Sequence, residues 1–570
     1  MGWIRTTGLA MLIASAPALA EVEFEVKGLK GALRKNVELF LSAIDQDSIE
    51  DTDRFRSHLQ SEISTAMRAL GYYSPSYRVE WQADGDDTRV TLHMNAGPKT
   101  VIAERDIQLI GGGANDPDLL AVIENSRLDV GRTLNHGYYE AFKSSLSNTA
   151  LKKGYFDARF EQSAMKVAPG RQQAFLVLHF DTGQRYHFGP TTINGSQIKE
   201  ERVRSLMPFE EGDPYLASQL GEFNQALSNS QWFSSIFVEP RLEAAEDYKV
   251  PVHVELTPQN RNQVEVGLGY STDVGARLKL NWKKPWVHSR GHSWNTNMEI
   301  SAVQPKIETV YRIPLEDVLK DYYQIVGGLR YIDSHDTVST ELGFGVERHW
   351  LKESGWQRTL SLRYLYEDYK QGAEEEGLME LFIPGLTYSR TRARGGAMPS
   401  WGDKQFISME YADPLLGSDT EIFRLRGRTG WVRSAGDRHR GLFKVDGGAV
   451  LADGIRHVPP SMRFFAGGDN SLRGYGYESI APRDSGGQLR GGRFLMTATA
   501  EYQFRVYGNW WLAAFYDYGD AWNDKPDWNR GVGGGLRWAS PVGPIRLDVG
   551  VGLDNDSDDY RIHFTLGPEF

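Results

Sequence analysis

The stretch "GARLKLNW" (residues 275–282) alternates apolar and polar side chains along its length. Successive side chains of a β-strand point to opposite faces, so this pattern predicts a strand with one apolar and one polar face. The two faces hold different residues: Leu278, Leu280 and Trp282 on one, and Arg277, Lys279 and Asn281 on the other. A strand of a soluble β-sandwich also alternates, so one segment does not decide between a sandwich and a membrane-spanning barrel.

Three features of the region after residue 262 favour the membrane barrel. Segments such as "QVEVGLGYS" (263–271) and "RFLMTATAEYQFRVY" (493–507) are mostly about ten residues or longer, whereas soluble strands usually have about five or six. The polar face is heavily charged, which the core of a sandwich would not tolerate. Tryptophans lie at the segment ends, as in the aromatic girdles of membrane barrels: Trp282, Trp286, Trp350, Trp510 and Trp511. With about sixteen segments, the sequence predicts an antiparallel 16-stranded transmembrane β-barrel over residues 261–570.

The first half of the chain contains a threefold internal similarity. "LGYYSPSYRVEW" (70–81) is matched by "KGYFDARFEQSAMKV" (153–167) and more loosely by "QWFSSIFVEPRL" (231–242). An amphipathic helix precedes each motif and an alternating strand follows it, which predicts an α+β repeat of strand, helix, helix, strand and strand. Each repeat would bury its helices on a small sheet. The alternative is three unrelated α+β segments.

The composition and the N-terminal sequence limit the class of protein to which the chain can belong. The 570 residues carry 64 Lys and Arg against 75 Asp and Glu, a net charge of −11, so we expect no nucleic-acid partner. The chain has no cysteine, which excludes disulfides and thiolate metal sites. Residues 1–20 combine Arg5, a short apolar run and the sequence Ala18-Leu19-Ala20, which predicts a signal peptide. The alternative, an N-terminal membrane anchor, is disfavoured because the apolar run is too short to span a bilayer.

A long segment without periodicity interrupts the predicted barrel. "FFAGGDNSLRGYGYESIAPRDSGGQ" (464–488) lies between the eleventh and twelfth strands, which places it outside if the first strand rises from the periplasm. Compact proteins seldom keep such a segment unless it is disordered or functional. The chain then ends in "YRIHFTLGPEF" (560–570), an alternating strand with a C-terminal aromatic residue.

These features together resemble one family. Three such repeats before a 16-stranded barrel are similar to the superfamily of outer-membrane assembly and two-partner-secretion barrels, whose repeats are the polypeptide-transport-associated (POTRA) domains. "SLRGYGY" (471–477) and "FYDYGDAW" (515–522) look like its loop-six motif and the partner motif on strand thirteen. Three repeats, rather than five or two, point to the TamA family, the outer-membrane subunits of the translocation and assembly module. The implied domains are a signal peptide (1–20), POTRA-like repeats (21–98, 99–184 and 185–260) and an outer-membrane β-barrel (261–570).

The resemblance implies that the long segment folds back into the barrel. The loop-six motif would be Arg473, Gly474 and Tyr475, with Arg473 against carboxylates on the inner wall. The implied partners in the lumen are Asp517, Glu501, Phe515 and Gly519. A guanidinium in a partly dehydrated lumen needs a carboxylate, and its planar fork binds one with two hydrogen bonds. The alternative is a mobile surface loop with an incidental arginine.

A barrel closes by pairing its first and last strands, and a weak seam would expose edges to which a client strand could add. Glycine weakens a strand, and Pro568 near the chain end cannot donate a ladder hydrogen bond. We therefore expect a poor lateral seam, formed by Val264, Val266, Gly267, Gly269, Phe564, Leu566, Gly567 and Phe570. The alternative is that the glycines only accommodate aromatic neighbours.

By resemblance, the expected function is assembly or secretion of β-barrel clients such as autotransporters through this lateral gate. The implied partners are unfolded clients, outer-membrane lipid and a TamB-like protein anchored in the inner membrane. The protein would lie in the bacterial outer membrane with its repeats in the periplasm. The alternative functions are a ligand-conducting channel or a conduit for lipid transport.

No arrangement of residues predicts an enzyme. We identify no nucleophile with a neighbouring base, no phosphate loop, and expect no cofactor or metal. His288 and His292 are four residues apart, but "HSRGH" (288–292) resembles a turn, in which that spacing would not bring the two rings to one face. The acidic stretch "DNDSDDY" (554–560) could bind divalent cations, although a solvated loop explains it as well.

Overall fold

The structure is a computed structural model that describes residues 22–45, 49, 52–84, 87–334, 336–373, 375–396, 398–540, 543–555 and 560–566. The predicted signal peptide (1–20) and the predicted seam residues Gly567 and Phe570 lie outside these ranges. The chain forms two compact bodies. Of the described residues, the first body holds those from 22 to 191 with 209–220 and 240–252, and the second holds 192–208, 221–239 and those from 253 to 566.

Three α+β repeats precede the barrel, each in the predicted order of strand, helix, helix, strand and strand. The first repeat consists of β1 (Val22–Lys27), α1 (Gly31–Ser42), α2 (Asp53–Ala69), β2 (Ser76–Asp84) and β3 (Asp87–Asn95). The second consists of β4 (Val101–Ile110), α3 (Pro117–Glu124), α4 (His136–Lys152), β5 (Arg159–Ala168) and β6 (Gln173–Asp181). The third consists of β7 (His187–Asn194), α5 (Glu200–Arg204), α6 (Ala217–Ser230), β8 (Phe233–Pro240) and β9 (Lys249–Pro258).

Each repeat has one three-stranded sheet with its last strand in the middle, in the orders β1-β3-β2, β4-β6-β5 and β7-β9-β8. The apolar stripe of α2 is buried under the first sheet, with Phe55, Leu59, Ile63 and Met67 all at most 3% exposed. None of the helices within the described ranges is long and apolar enough to cross a membrane.

The second repeat contains a buried polar cluster at the start of α3. The carboxylate of Asp116 caps this helix by accepting a hydrogen bond from the backbone N–H of Asp118, at 3.0 Å. Lys153 Nζ lies 2.8 Å from Asp116 Oδ1, and the Tyr155 hydroxyl donates to Oδ2. Burial disfavours the ionised carboxylate, but the hydrogen bonds from Lys153 and Asp118 outweigh it and lower the pKa of Asp116.

Residues 263–566 form a closed barrel of sixteen strands in sequential order, as predicted. Its neighbouring strands pair antiparallel. The strands are β10 (Gln263–Ser271), β11 (Gly275–Lys284), β12 (Ser293–Ser301), β13 (Lys306–Pro314), β14 (Asp321–Ser334), β15 (Thr337–Leu351), β16 (Gln357–Gln371), β17 (Glu375–Arg394), β18 (Trp401–Ala412), β19 (Ile422–Ala435), β20 (His439–Leu451), β21 (Phe494–Tyr507), β22 (Trp510–Trp522), β23 (Asn529–Ser540), β24 (Gly543–Gly552) and β25 (Tyr560–Leu566).

The inner face of the barrel follows the expectation of a heavily charged lumen on some strands and departs from it on others. On β19 the inward residues Arg424 and Arg426 are charged and pair with carboxylates, as predicted. On β16 and β17, however, Leu365, Leu381 and Ile383 are at most 2% exposed and belong to one apolar cluster with residues of the long segment between β20 and β21. The prediction is wrong for these strands because that segment fills the lumen beside them and shields their apolar side chains from water.

Loop six and the barrel seam form the candidate functional site

Loop six comprises residues 452–493 and connects β20 to β21, the eleventh and twelfth strands of the barrel. It is the sixth of the connections that join an odd-numbered barrel strand to the next even-numbered one, and these connections lie at one end of the barrel because neighbouring strands are antiparallel. The loop contains two short 3₁₀ helices, Ile455–His457 and Pro460–Met462. Its apolar side chains Ile455, Met462 and Leu472 are buried in the lumen. Loop six is therefore folded inside the barrel.

The guanidinium of Arg473 is bound by three carboxylates of the inner wall. Its Nε and Nη2 donate to the two oxygens of Asp517 on β22, at 2.8 and 2.9 Å, which is the bidentate geometry of an arginine–carboxylate pair. Its Nη1 donates to Glu501 on β21 at 2.7 Å and to Asp548 on β24 at 3.3 Å. The side chain of Arg473 is only 5% exposed. The structure thus brings Arg473 together with Asp517 and Glu501.

A second arginine completes the cluster. Arg537 on β23 donates to Glu501 through Nε and Nη2, at 3.0 and 2.8 Å, and to both oxygens of Asp548, at 2.6 and 3.1 Å. Two guanidiniums therefore share three buried carboxylates, and each charge has an opposite partner within hydrogen-bond distance. Sequence reasoning missed Arg537 and Asp548, although both lie in alternating segments where an inward charge requires a partner.

Glycines on the wall make room for the backbone of the motif. Gly474 has φ +95°, and a Cβ there would lie 2.5 Å from the backbone of Val551 and Gly552. In the opposite direction, a Cβ on Gly531 would lie 2.1 Å from the carbonyl oxygen of Arg473, and one on Gly550 would lie 2.8 Å from the Gly474 nitrogen. The loop backbone therefore touches β23 and β24 directly, and a side chain at these positions would displace it.

The remaining predicted partners occupy different places. Phe515 lies under the guanidinium, with Arg473 Cζ 3.4 Å from its ring centroid, a cation–π contact. The Tyr475 hydroxyl donates to the carbonyl oxygen of Arg530 at 3.1 Å. Gly519 instead lies against β21, where a Cβ would meet the carbonyl oxygen of Met496 at 2.4 Å. Its function in the structure is close strand packing.

Loop six is also bound to the opposite wall. The side chain of Arg463 is fully buried, and its Nη2 donates to Glu375 at the start of β17, at 2.6 Å. Arg490 donates to the other oxygen of the same carboxylate. Glu367 on β16 accepts hydrogen bonds from the backbone and the hydroxyl of Ser461. The loop therefore crosses the lumen from β22–β24 to β16–β17.

The seam between the first and last strands contains one registered residue pair among the described residues, Ser271 with Thr565. By contrast, β10 forms nine registered pairs with β11. Val264 and Val266 of β10 are each 66% exposed. A Cβ on Gly267 would have the Lys279 Cβ as its nearest neighbour, at 3.8 Å, so no close contact requires that glycine. Phe564 contacts Tyr270 with ring centroids 6.1 Å apart.

Side chains of loop six bridge this seam at its outer end. Asp469 Oδ1 accepts a hydrogen bond from the Thr272 hydroxyl at 2.9 Å, just after β10, and lies 2.7 Å from His563 Nδ1 on β25. His563 Nε2 accepts from the backbone N–H of Gly474 at 3.0 Å, so Nδ1 carries the proton and donates to Asp469. Thr272 also accepts from the backbone N–H of Phe564. We call Thr272, Asp469 and His563 the seam clasp.

Asp273, Asp469 and His563 form the group of potential metal ligands found among the described residues, with their ligand atoms within 4.8 Å of one another. Both ring nitrogens of His563 already make hydrogen bonds, and Asp273 accepts one from the backbone N–H of Asp469. A metal ion would have to replace these bonds. The arrangement therefore fits a hydrogen-bonded clasp better than a metal centre.

The expectation for His288 and His292 is wrong. Their ring centroids lie 4.2 Å apart, because the turn that joins β11 and β12 reverses the chain and returns the second imidazole to the first. His292 Nδ1 also lies 2.9 Å from the Tyr311 hydroxyl. Burial and the neighbouring His288 lower the pKa of His292 to about 4.

The chain consists of three α+β repeats followed by a closed barrel of sixteen strands with a buried arginine in loop six. These features define a class of membrane barrels with appended soluble domains. The chain belongs to the Omp85 superfamily, whose domain model matches residues 260–570. The model of the POTRA domain described as TamA domain 1 matches residues 23–96, and a POTRA model described as surface antigen variable number repeat matches residues 186–259.

Similar proteins are outer-membrane assembly factors. The chain is 24% identical over 412 residues to the outer membrane protein assembly factor BamA of Nitratidesulfovibrio vulgaris, covering 68% of this chain and 52% of the relative. It is 21% identical over 461 residues to BamA of Neorickettsia risticii, covering 75% of this chain and 61% of the relative. The chain thus spans about half to three fifths of these relatives' length.

Among solved structures, BamA from Haemophilus ducreyi lacking POTRA domains 1–3 superposes with a TM-score of 0.68 at 16% identity. The match covers 82% of this chain and 99% of that structure, and it establishes the shared fold. The protein is accordingly an outer-membrane β-barrel whose N-terminal POTRA domains lie in the periplasm.

Proposed function

We propose that this protein is an outer-membrane insertase or translocase subunit that assists the assembly or secretion of β-barrel clients such as autotransporters. The observation that carries the proposal is the seam, where the described parts of β10 and β25 share a single registered pair. Unpaired backbone groups of a strand edge can accept an added strand, which is how a client strand would begin to pair. The two relatives named above are both called outer membrane protein assembly factors, which supports this proposal. We propose no enzymatic activity.

The apolar edge of β10 supports this route. Val264, Val266 and Leu268 point away from the lumen and are 66–79% exposed, so a strand that added at this edge would find apolar neighbours on its lipid side. The lumen itself is crossed by loop six, which is anchored by Arg473 on one wall and Arg463 on the other. A ligand-conducting channel would need that path to be open, so the anchored loop favours the lateral route over the channel.

Within the superfamily, we propose that the protein acts as a TamA-like subunit. The match of residues 23–96 to the TamA type of POTRA domain supports this assignment. The periplasmic repeats would then bind a TamB-like protein anchored in the inner membrane. Copurification of such a partner with the full chain, and not with a chain that lacks residues 22–184, tests the assignment; equal recovery with both chains would contradict it.

The lateral route is tested by locking the seam. Ser271 and Thr565 are directly opposite, so cysteines there would meet the Cα separation that a disulfide requires. They would be the sole thiols, because the natural chain has no cysteine. We expect the locked protein to fail in the display of an autotransporter at the cell surface, and reduction to restore it.

A second lock serves as the matched control. Thr296 on β12 and Thr309 on β13 are also directly opposite, with their hydroxyls 2.9 Å apart, but they lie in a fully paired part of the wall. Locking this pair should leave display unchanged. If the locked seam also works normally, the seam serves only to close the barrel, and the conduit for lipid transport becomes the better proposal.

A further inference from the structure

A cluster of arginines and tryptophans occupies the outer wall of the barrel on β17–β19. We define the guanidinium–tryptophan patch by seven residues: Arg390, Arg392, Arg394, Arg433, Trp356, Trp401 and Trp431. On β17 the even-numbered positions face outward, since Leu378 and Phe382 are 49% and 38% exposed whereas Leu381 and Ile383 are buried inside. The three β17 arginines share that outward parity and therefore face the membrane side of the wall.

The patch lies at the periplasmic edge. Arg390–Arg394 are the last five residues of β17, which runs from the external connection after β16 to the periplasmic end of the barrel. Five strand residues rise about 13 Å, or about 10 Å along the membrane normal at the usual tilt of a barrel strand. This length matches the headgroup layer, where an outward arginine costs about 0–1 kcal/mol, rather than the hydrocarbon core, where it costs about 2–4 kcal/mol.

The guanidiniums lie close to the indole rings. Trp401 has three of them over its ring: the Cζ atoms of Arg392, Arg394 and Arg433 lie 5.4, 4.9 and 4.8 Å from its centroid. Arg390 is placed in the same way over Trp356, at 4.7 Å. These contacts restrict where each guanidinium can lie on the wall, next to an indole ring at the membrane interface.

Charge in the patch is not balanced. Asp403, which is fully buried, accepts from Arg392 Nε at 2.9 Å and from Arg390 Nη2 at 3.4 Å. Arg433 donates to backbone carbonyl oxygens of Gly402 and Val432. Four guanidiniums against this one carboxylate leave a surplus of three positive charges. An aromatic girdle that only held the barrel at the membrane interface would not require this surplus of positive charge.

We propose that the guanidinium–tryptophan patch binds the phosphate headgroups of anionic phospholipids in the periplasmic leaflet. Phosphate oxygens match the fork of a guanidinium, and a headgroup at this depth brings the negative charge that the patch lacks. The indole rings lie at the level where tryptophan normally contacts the lipid interface. The patch is centred on the ninth strand, far from the seam along the wall in both directions, so this site is independent of the lateral gate.

The test uses the full chain in a neutral detergent and native mass spectrometry. Dioleoylphosphatidylglycerol and dioleoylphosphatidylcholine are titrated separately, and the retained lipid is counted. We expect the wild type to retain phosphatidylglycerol preferentially. The variant Arg394→Gln/Arg433→Gln should weaken that binding by about tenfold or more, because each arginine at an anionic surface contributes to it. This variant keeps both arginines that neutralise Asp403.

The chain offers a control with the same loss of charge. Arg348 and Arg505 also stack on tryptophans, 4.4 Å from Trp350 and 5.9 Å from Trp511, but they lie outside the patch. Arg348→Gln/Arg505→Gln should retain phosphatidylglycerol like the wild type. A difference in gel migration between the unheated and the heated protein verifies a folded barrel, and Arg394→Gln alone replaces the double variant if that one does not fold.

Four results would overturn the proposal. Unchanged retention by the double variant would mean that the patch does not bind the lipid, and an equal loss in the control would mean that any arginine beside a tryptophan suffices. Equal retention of phosphatidylcholine and phosphatidylglycerol would mean that the patch does not select anionic headgroups and is an ordinary interfacial girdle. Displacement of the bound lipid by inorganic phosphate alone would identify a site for free phosphate instead of a lipid headgroup.

Discussion

Replacing Arg473 by alanine should release loop six from the β22–β24 wall. The change removes the two parallel hydrogen bonds to Asp517 and the one to Glu501. Glu501 keeps Arg537 as a partner, but the fully buried Asp517 loses the side-chain cation that neutralises it. Removing one partner of a buried ion pair costs about 3–5 kcal/mol, so we expect a loss of about that size in the free energy of unfolding.

The assay combines stability with accessibility of the loop. Urea unfolding in detergent, followed by the shift of the unheated barrel on a gel, gives the loss of stability. Brief trypsin digestion then reports whether residues 452–493 have left the lumen. Arg473→Ala/Asp517→Ala should lose about 1–2 kcal/mol less than the sum of the single variants, because it leaves no unpaired charge.

An arginine in the same loop provides the control. Arg456 is 63% exposed and its Nε lies 3.9 Å from Glu375, so Arg456→Ala should change stability by no more than about 0.5 kcal/mol. The reasoning is refuted if Arg473→Ala unfolds at the wild-type urea concentration with its loop still protected. In that case the apolar cluster beneath loop six, and not the ion pairs, would hold the loop inside.

Three further changes test other parts of the structure. Gly531→Ala places a Cβ 2.1 Å from the Arg473 carbonyl oxygen, so we expect a loss of about 1–3 kcal/mol and faster trypsin cleavage of loop six; unchanged cleavage would contradict the close approach. Asp116→Ala removes a helix cap and the buried partner of Lys153, and helical circular dichroism should disappear at a lower urea concentration, with a loss of about 2–4 kcal/mol. The folded-state pKa of His292 is lowered from 6.5 to about 4, so its contribution to stability is present above pH 6.5 and is lost as the pH falls towards 4. The variant His292→Gln should lose less stability over that pH interval, and an equal loss would assign the effect to other groups.

The fold could be predicted because its signals are local. Strand alternation with period two and helices before each aromatic motif are properties of short segments, and sixteen strands and three repeats follow from counting them. The charged inner face was predicted from β11, where Arg277 and Lys279 alternate with apolar residues. The same reasoning was wrong for Leu381 and Ile383, because their environment depends on apolar residues of loop six, which lie about 70–100 residues further along the chain.

The site could be predicted only in part for a related reason. Arg473 and Asp517 were found through motifs, but the fit of the loop depends on which wall positions lack a side chain. Gly531 and Gly550 gave no local signal of contact with Arg473, since glycine in a strand is also consistent with a bend or a weak edge. His288 and His292 illustrate the same limit: spacing along a turn does not determine how far the chain reverses.

The seam and loop six depend on each other energetically. The described part of the seam has one registered pair, and side chains add a further connection: Asp469 joins Thr272 on the first hairpin to His563 on the last strand. Arg473 binds loop six to β21, β22 and β24, on the same side of the seam as His563, through several charge-assisted hydrogen bonds. When the seam opens, loop six should therefore stay with the C-terminal wall, because its bonds to Thr272 and Asp273 are fewer than the ion pairs of Arg473. Opening then requires the loss of the hydrogen bonds that Asp469 and Phe564 make to residues 272 and 273, so the lumen can remain filled by loop six while an edge becomes available to a client.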